Sequence, residues 1–356
     1  MGKPKISFKT LFRERLYFLM EVLIVFLGIF LAMLIPYYLV PYFIPPSSMF
    51  LEPIHYTVRA ISAVFGIIIF LYFANFIMES QKRKLILEED INPAKNFMKL
   101  FSISKKNFKY QILYGVLILF LVFIPLDYVT YLLVPDMLEY SKVALNPAGE
   151  ISYNSYLLLE YFPFLLSVII IQIFVSVYEE SLTRGFLTNR GAEYLNKMSA
   201  VMIASFFFGL GHYEYLFTES TLGFSPIYPF IWFLETFLVG IILSMIVLRK
   251  RWIFPVIFAH AINNIISAHA IWNYLNGHDF LLMSIFVYIP CLIVSIVLFI
   301  WQFSRIKEGL EIGFNEFKSY FKNDEKNGET TSNKFIRIIL DFLFGLIIFL
   351  IGVIII

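Results

Sequence analysis

Residues 156–178, YLLLEYFPFLLSVIIIQIFVSVY, form an almost uninterrupted apolar run in the middle of the chain. A membrane-spanning helix needs about 20 mostly apolar residues, and this stretch has that length. Two carboxylates, Glu179 and Glu180, follow it directly. The run therefore predicts a transmembrane helix with a pair of acidic residues at its end.

The composition of the whole chain agrees with this prediction. Of its 356 residues 59% are hydrophobic and only 15% are charged, with a mean hydropathy of +0.77. Soluble proteins average about 45–50% apolar and about 25% charged residues. These values exclude a soluble enzyme, a β-barrel and a disordered scaffold. The net charge of +2 is too small for a nucleic-acid surface, and the single cysteine, Cys291, excludes an internal disulfide and a cysteine-rich metal site.

Nine stretches satisfy the length and hydropathy of a membrane span, so we expect an all-α polytopic transmembrane bundle. They are Leu16–Leu39, Ala60–Met78, Tyr110–Val134, Tyr156–Tyr178, Ser199–Phe217, Ile227–Leu248, Trp252–Trp272, Phe280–Phe303 and Phe335–Ile356.

Basic residues are confined to alternate connections between these spans. All but two of the 28 Lys and Arg residues precede span one or border the connections after spans two, four, six and eight. The two exceptions are Arg59 and Lys142. Because Lys and Arg concentrate on the cytoplasmic side, we expect an integral protein of a prokaryotic plasma membrane with a cytoplasmic N-terminus and a C-terminus that faces outward.

Ionisable groups inside a membrane span are costly and are functional candidates. Spans four to seven contain nearly all of them. Glu180 and Arg184 are four residues apart and share a helix face, so an ion pair is expected. Glu179 points about 100° away and has no partner on its own helix, which suits a general base.

Two further pairs of residues are four apart on later spans: Phe208 with His212, and His260 with Asn264. Each pair projects from one helix face, and the faces of three successive spans could converge in the interior of the bundle. The alternative is that these polar groups only hold helices together, as polar residues do in many membrane bundles.

The three motifs together resemble those of the CPBP intramembrane proteases, a family that includes the type II CAAX prenyl proteases and the Abi-type bacteriocin-immunity proteins. Glu179-Glu180-Ser-Leu-Thr-Arg184-Gly-Phe-Leu is similar to the first family motif, Phe208-Gly-Leu-Gly-His212 to the second, and His260-Ala-Ile-Asn-Asn264 to the third. The resemblance covers about residues 155–275.

The resemblance implies hydrolysis of a peptide bond at or within the membrane. It assigns the activation of the attacking water to Glu179 and His212, and the oxyanion hole to His260 and Asn264. Arg184 supports the site, together with Glu180 and Phe208. The expected substrate is a membrane-associated peptide, which includes lipidated proteins and leader peptides, and membrane lipid is the expected surrounding. No nucleic-acid partner is expected.

We therefore expect three regions. Residues 1–150 are an N-terminal region of three spans with a basic cytoplasmic loop, residues 151–275 are the protease core of four helices, and residues 276–356 contribute the last spans, joined by a polar cytoplasmic linker.

Two other functions use the same residues. A non-catalytic scaffold or immunity protein would keep the fold, although such a copy should have lost Glu179 or a motif histidine. A transporter would use buried Glu, His and Asn to bind ions, but the chain has no repeat of useful length. Glu214 and Glu235 could line the cavity, but a role in helix pairing or a position at the membrane interface is expected for both.

A metal ion is a further alternative. Glu179, His212 and His260 could bind zinc, whose usual catalytic set is three such ligands and a water. We expect no metal, because His260 shares its face with Asn264, which suits an oxyanion better than a cation. Neither histidine has an acidic residue on its own helix face to orient its second nitrogen.

The depth of the site is a difficulty for this interpretation. His212 follows Lys197 at a separation in sequence that corresponds to roughly 22 Å along a helix, whereas Glu179 would lie at the cytoplasmic edge if span four ended at Tyr178. Either span four continues past Arg184, or span five is tilted or displaced.

Overall fold

The computed structural model describes residues 7–83, 92–134, 136–145, 154–217, 221, 223–323 and 328–355, without the side chains of residues 79–83. Parts of the predicted basic loop and polar linker, and the predicted boundary at residue 150, lie outside these ranges. Helices account for nearly all of the described chain, and it contains no strand.

The helices are named in chain order. They are α1 (Phe8–Phe43), α2 (Leu51–Arg83), α3 (Pro93–Lys99), α4 (Phe108–Ile118), α5 (Ile124–Leu133), α6 (Met137–Leu145), α7 (Tyr161–Glu180), α8 (Asn189–Tyr194), α9 (Lys197–Tyr213), α10 (Ile227–Lys250), α11 (Phe254–Leu275), α12 (Phe280–Met283), α13 (Ile289–Trp301), α14 (Phe303–Tyr320) and α15 (Thr331–Ile355). Wider π-helical turns join α4 to α5, α7 to α8 and α12 to α13, and short 3₁₀ turns precede α7 and follow α9.

Eight helical runs in the described chain are long and apolar enough to cross a membrane. They are Phe8–Phe43, Leu51–Met78, Phe108–Leu133, Tyr161–Tyr194, Ile227–Lys250, Phe254–Leu275, Phe280–Trp301 and Thr331–Ile355. The protein is thus an all-α polytopic membrane bundle, as predicted.

The predicted span that is not among these eight is the fifth, Ser199–Phe217, which corresponds to α9 and has only 17 residues. At 1.5 Å per residue α9 is about 25 Å long, less than the roughly 30 Å of a bilayer core. It packs against α10 and α15, and most of its first half is buried. Its N-terminus is capped by Asn196, whose side chain accepts the N–H of Ser199 at 2.7 Å. This short helix still runs from one end of the bundle to the other, because α8 ends at one end of the bundle and α10 begins at the opposite end.

We call one end of the bundle the basic end. It is formed by the beginnings of α1, α4, α9, α11 and α15 and by the ends of α2, α8, α10 and α13. Side chains at the end of α10 join these segments: Arg251 donates to Asn96 at 2.7 Å, and Arg249 pairs with Glu308 of α14 at 3.2 Å. The N–H of Ile253 donates to the carbonyl oxygen of Leu100 at 3.0 Å.

Contacts of another set hold the opposite end together. Glu52, at the start of α2, accepts the backbone N–H groups of Ser155 and Tyr156, each at 3.0 Å. Trp272, near the end of α11, donates its indole N–H to the carbonyl oxygen of Leu159 at 3.0 Å. The antiparallel order of the predicted spans is therefore the order found in the bundle.

Two basic residues that the sequence placed in the connection after span four lie inside a helix instead. Arg184 and Arg190 are buried inside the helical run Tyr161–Tyr194, which continues well beyond Tyr178, the predicted end of span four. Each can be buried because it meets a carboxylate: Arg184 pairs with Glu180 at 3.1 Å and Arg190 with Glu21 at 2.6 Å. A hydropathy count ends the span at the first charges, whereas the fold neutralises these charges in pairs.

The longer run resolves the difficulty with depth. The helical run from Glu179 leads to Tyr194, where α8 ends at the basic end, and α9 leads back from Lys197 at the same end to His212. Glu179 precedes Tyr194 by as many residues as Lys197 precedes His212. The two side chains therefore lie about equally far from the basic end. The first of the two alternatives, a span four that continues past Arg184, is the one found.

Candidate active site

The first motif lies where α7 passes into a π-helical turn, Ser181–Thr188. Two hydroxyl groups donate hydrogen bonds to backbone carbonyl oxygens at this transition. Ser181 donates to the carbonyl oxygen of Val177 and Thr183 to that of Glu179, both at 2.5 Å. Side-chain bonds of this kind compete with the regular i to i−4 ladder, and π-helical turns are frequent at functional sites. The turn sets the direction in which the two glutamates point.

Glu180 points into the protein core. Its side chain is fully buried, and its Oε1 atom lies 3.1 Å from Arg184 Nη1, so the expected ion pair is present. The same oxygen lies 2.8 Å from His260 Nδ1 on α11. Because a carboxylate only accepts hydrogen bonds, Nδ1 of His260 carries the proton. Glu180 therefore orients an imidazole that belongs to a distant part of the sequence.

Glu179 points the other way, into a cavity. Its side chain is 30% exposed, and its Oε2 atom lies 3.6 Å from Nε2 of the same His260. The two neighbouring carboxylates thus face opposite nitrogens of one imidazole ring. The cation of Arg184 beside Glu180 offsets the charge of one carboxylate, which lowers the cost of holding these ionisable side chains in one place.

Phe208 of the second motif covers the buried ion pair. The guanidinium carbon of Arg184 lies 4.2 Å from the centre of the Phe208 ring, which is a cation–π contact. The edge of the same ring meets His260 with 6.1 Å between ring centres. Phe208 therefore supports the two residues beside it and contributes no reactive group.

His212 lies one helical turn beyond Phe208, and its Nδ1 atom is 3.1 Å from the Phe208 carbonyl oxygen. A carbonyl oxygen only accepts, so this contact places the proton on Nδ1 and leaves Nε2 as an acceptor in the neutral ring. The ring packs against Trp232 of α10, with 5.6 Å between ring centres.

One cavity of about 660 Å³ brings the four predicted catalytic residues together. Glu179, His212, His260 and Asn264 all line it. Asn264 lies one turn after His260 on α11, on the same side of that helix. Three successive motifs, carried by α7, α9 and α11, therefore face one cavity.

Other acidic residues line the same cavity. Asp127 of α5 accepts a hydrogen bond from Ser267 at 2.6 Å, and it lies next to Asn263 and to Glu235 of α10. Asp127 has no family motif around it, and its only signal in the sequence is a single carboxylate inside an apolar span.

Glu214 and Glu235 both line the cavity, and the role expected for them in helix pairing or at the membrane interface stays a prediction. Glu214 is in the 3₁₀ turn after α9, and Glu235 contacts Asp127 and Thr130. Arg59 of α2 is another lining residue that the motifs do not include. Its guanidinium carbon lies 5.1 Å from the ring centre of Tyr178.

The proposed zinc ligands do not form a metal site in the described chain. No three His, Cys, Asp or Glu side chains are grouped there in a way that could hold a metal ion. His260 has a carboxylate from another helix on its Nδ1 atom, an arrangement that metal-bound histidines also use. Its Nε2 atom faces Glu179, which would have to turn for both groups to bind one ion. The metal-free reaction stays a prediction.

Comparisons with known proteins agree with the motifs. Residues 161–266 match the family described as "Type II CAAX prenyl endopeptidase Rce1-like". This segment contains all three motifs and lies within the region in which the resemblance was expected. No curated protein and no solved structure matches the chain. Over residues 161–266, which carry the three motifs, the chain is therefore similar to the type II CAAX prenyl endopeptidases, and this similarity supports the resemblance to the CPBP intramembrane proteases.

Proposed function

We propose that the chain is an intramembrane endopeptidase that cleaves a peptide bond with a water activated by Glu179. The observation that carries this proposal is the opposite orientation of the two adjacent glutamates. Glu180 is fully buried and bonded to Arg184 and His260, whereas Glu179 faces the cavity with part of its side chain exposed. A carboxylate that is held at one edge of a closed site and faces the substrate space suits a general base.

In the proposed reaction, Glu179 and Nε2 of His212 hold the water and Glu179 takes its proton. Both groups line the cavity, and the Nδ1 contact of His212 leaves its Nε2 lone pair for this task. The hydroxide attacks the carbonyl carbon of the scissile bond. Glu179 then returns the proton to the departing amine, so that the base is regenerated.

The negative oxygen of the tetrahedral intermediate would be stabilised by His260 and Asn264. With Nδ1–H donated to Glu180, a protonated His260 offers Nε2–H toward the cavity. The amide of Asn264, one turn later, offers a second donor. Donors fixed in a site that excludes water act on the transition state more than on the bound substrate.

The proposal is tested with Glu179→Gln, since the amide keeps the shape but cannot accept the proton. Purified protein in lipid nanodiscs is incubated with a prenylated CAAX peptide and, separately, with a mixed library of unmodified peptides, and new amine ends are identified by mass spectrometry. We expect cleavage to fall by about 10²–10⁴-fold, the usual contribution of general base catalysis.

Glu160→Gln is the matched control, because this glutamate is exposed at the start of the same helix, outside the cavity. It should cleave as the wild type does. Normal cleavage by Glu179→Gln would refute the assignment of the base. A wild-type protein that binds peptides from the library without cleaving them would instead support the scaffold or immunity function.

A further inference from the structure

The cavity lies in one half of the bundle. Apart from residues of the long helices, its wall includes Met137, Ser141 and Leu145 of α6, together with Tyr156 and Tyr215. All of these belong to connections at the end opposite the basic end. In the described chain, no residue of a connection at the basic end lines the cavity.

The cavity is closed toward the basic end by packed side chains. Every residue from 180 to 191 is buried. Thr183 and Leu243 line the cavity, while Arg184 next to Thr183 is only 1% exposed. Beyond it, a methyl group added at Gly185 would lie 2.8 Å from the Phe97 ring, which shows how closely the short helix α3 covers this turn. In the described chain, these packed side chains lie between the basic end and Glu179.

The charges identify the side of the membrane to which each end belongs. Among residues outside the long spans, the basic end carries Lys105, Lys106, Arg251 and Lys307, whereas the opposite end carries Lys142, which is paired with Glu139 at 2.8 Å. Lys and Arg mark the cytoplasmic side of a membrane protein. The cavity therefore belongs to the other half of the bilayer.

We propose that the peptide substrate reaches Glu179 from the non-cytoplasmic side of the membrane, so that the substrate class is an exported peptide or an extracytoplasmic segment of a membrane protein. This inference rests on the proposed function in treating the peptide as a substrate, but the position of the entrance is independent of it. A lipidated tail that remains in the cytoplasm would have no path to the site.

The entrance can be located with single cysteines and a charged, membrane-impermeant thiol reagent. Gly211, next to His212, lines the cavity, and a Cβ atom there would meet no atom within 4 Å. Gly309 on α14 has the same open surroundings at the basic end. Gly211→Cys and Gly309→Cys, each combined with Cys291→Ser, are therefore a matched pair that should fold alike.

Intact cells that carry each variant are treated with sodium (2-sulfonatoethyl) methanethiosulfonate, and the labelled fraction is compared with that in inside-out vesicles. We expect Gly211→Cys to react at least tenfold faster in intact cells, and Gly309→Cys only in the inverted vesicles. Reaction of both cysteines from the cytoplasmic side would overturn the inference, and so would reaction of Gly309→Cys in intact cells. Failure of Gly211→Cys to react from either side would also overturn it, because the cavity would then have no entrance at this point.

Labelling does not depend on catalysis. A protein that labels as expected but cleaves nothing in the nanodisc assay would retain the entrance and lose the proposed function. A protein that cleaves peptides but is labelled from the cytoplasmic side would retain the proposed function and lose the proposed entrance.

Discussion

Glu179 and Glu180 show how two identical neighbouring side chains acquire different tasks from their surroundings. Glu180 makes two charged contacts through one oxygen and is fully buried, whereas Glu179 meets His260 at 3.6 Å and keeps 30% of its side chain exposed. Glu180 therefore fixes the geometry, and Glu179 is placed for chemistry. Substitutions at the two positions should differ in what they damage.

Glu180→Gln should destabilise the protein and also slow the reaction. Removing one member of a buried ion pair strands the other charge, at a cost of about 3–5 kcal/mol, and Arg184 would be left without its partner. The amide oxygen can still accept from His260, so part of the geometry remains. Thermal unfolding in detergent and kcat per folded molecule are the two measurements.

Glu139→Gln is the control for an ion pair, because the Glu139–Lys142 pair is about one third exposed. Exposed pairs contribute about 0–1 kcal/mol, so the midpoint of unfolding should hardly move. If Glu180→Gln were as stable as Glu139→Gln, the buried pair would not hold the motif together.

His260→Ala and Asn264→Ala should reduce turnover more than binding of the peptide. Loss of one oxyanion donor typically costs about 10²–10³ in kcat. We expect kcat to fall in this range for Asn264→Ala with KM within a few-fold of the wild-type value, and His260→Ala to lose more because Glu180 and Glu179 lose their shared partner as well. A change confined to KM would assign both residues to substrate positioning.

Individual contacts in the site show what could be predicted from the sequence and what could not. Spacing of four residues predicted the Glu180–Arg184 pair and placed His260 with Asn264, because a helix repeats locally. The contact of Glu180 with His260 joins α7 to α11, and nothing local in the sequence determines which helices meet. Asp127 was missed for the same reason, since a single carboxylate gives no hint of the Glu235 that it contacts.

At the scale of elements, the π-helical turn Ser181–Thr188 is what the apolar pattern could not predict. Hydropathy and the charges at Glu179–Arg184 favoured an end of the span at Tyr178. The chain continues as a helix because the charges are paired internally, and it widens into a π-helical turn where Ser181 and Thr183 bond to carbonyl oxygens of the preceding turn. Eight of the nine predicted spans, and their order, could be predicted from length and composition, whereas α9 is shorter than the predicted fifth span required.

Thr183→Val should test whether this turn positions Glu179. The Thr183 hydroxyl donates to the Glu179 carbonyl oxygen at 2.5 Å and accepts from Arg184 Nη1 at 2.6 Å. Valine keeps the branched shape but loses both bonds, and we expect a loss of about 1–3 kcal/mol in stability with a several-fold lower kcat. Thr183→Ser restores a hydroxyl and should recover most of kcat. Equal kcat values for the valine and serine variants would show that packing alone sets the turn.

At the scale of the whole molecule, the first and last helices close the bundle through one buried group. Arg15 of α1 contacts Asp341 of α15 at 2.5 Å, and Asp341 also accepts from Ser199 of α9 at 2.6 Å and from Tyr320 of α14 at 3.0 Å. Four helices from distant parts of the chain meet at this carboxylate. Residues 349 and 352–353 of α15 also line the cavity, so the C-terminal span forms part of the site's wall although its sequence carries no motif.

Asp341→Asn should therefore weaken the assembly of the bundle and leave the chemistry intact. Arg15 and Asp341 are almost completely buried, and a stranded Arg15 would cost about 3–5 kcal/mol, enough to lower the midpoint of thermal unfolding and the yield from membranes. Because Asp341 does not line the cavity, kcat per folded molecule should stay within a few-fold of the wild-type value, in contrast to Glu180→Gln. Glu311→Gln, in an exposed pair with Lys307, is the control and should change neither quantity. A lower kcat in Asp341→Asn at an unchanged unfolding midpoint would contradict this division, and would mean that the closure of α1 on α15 sets the geometry of the site directly.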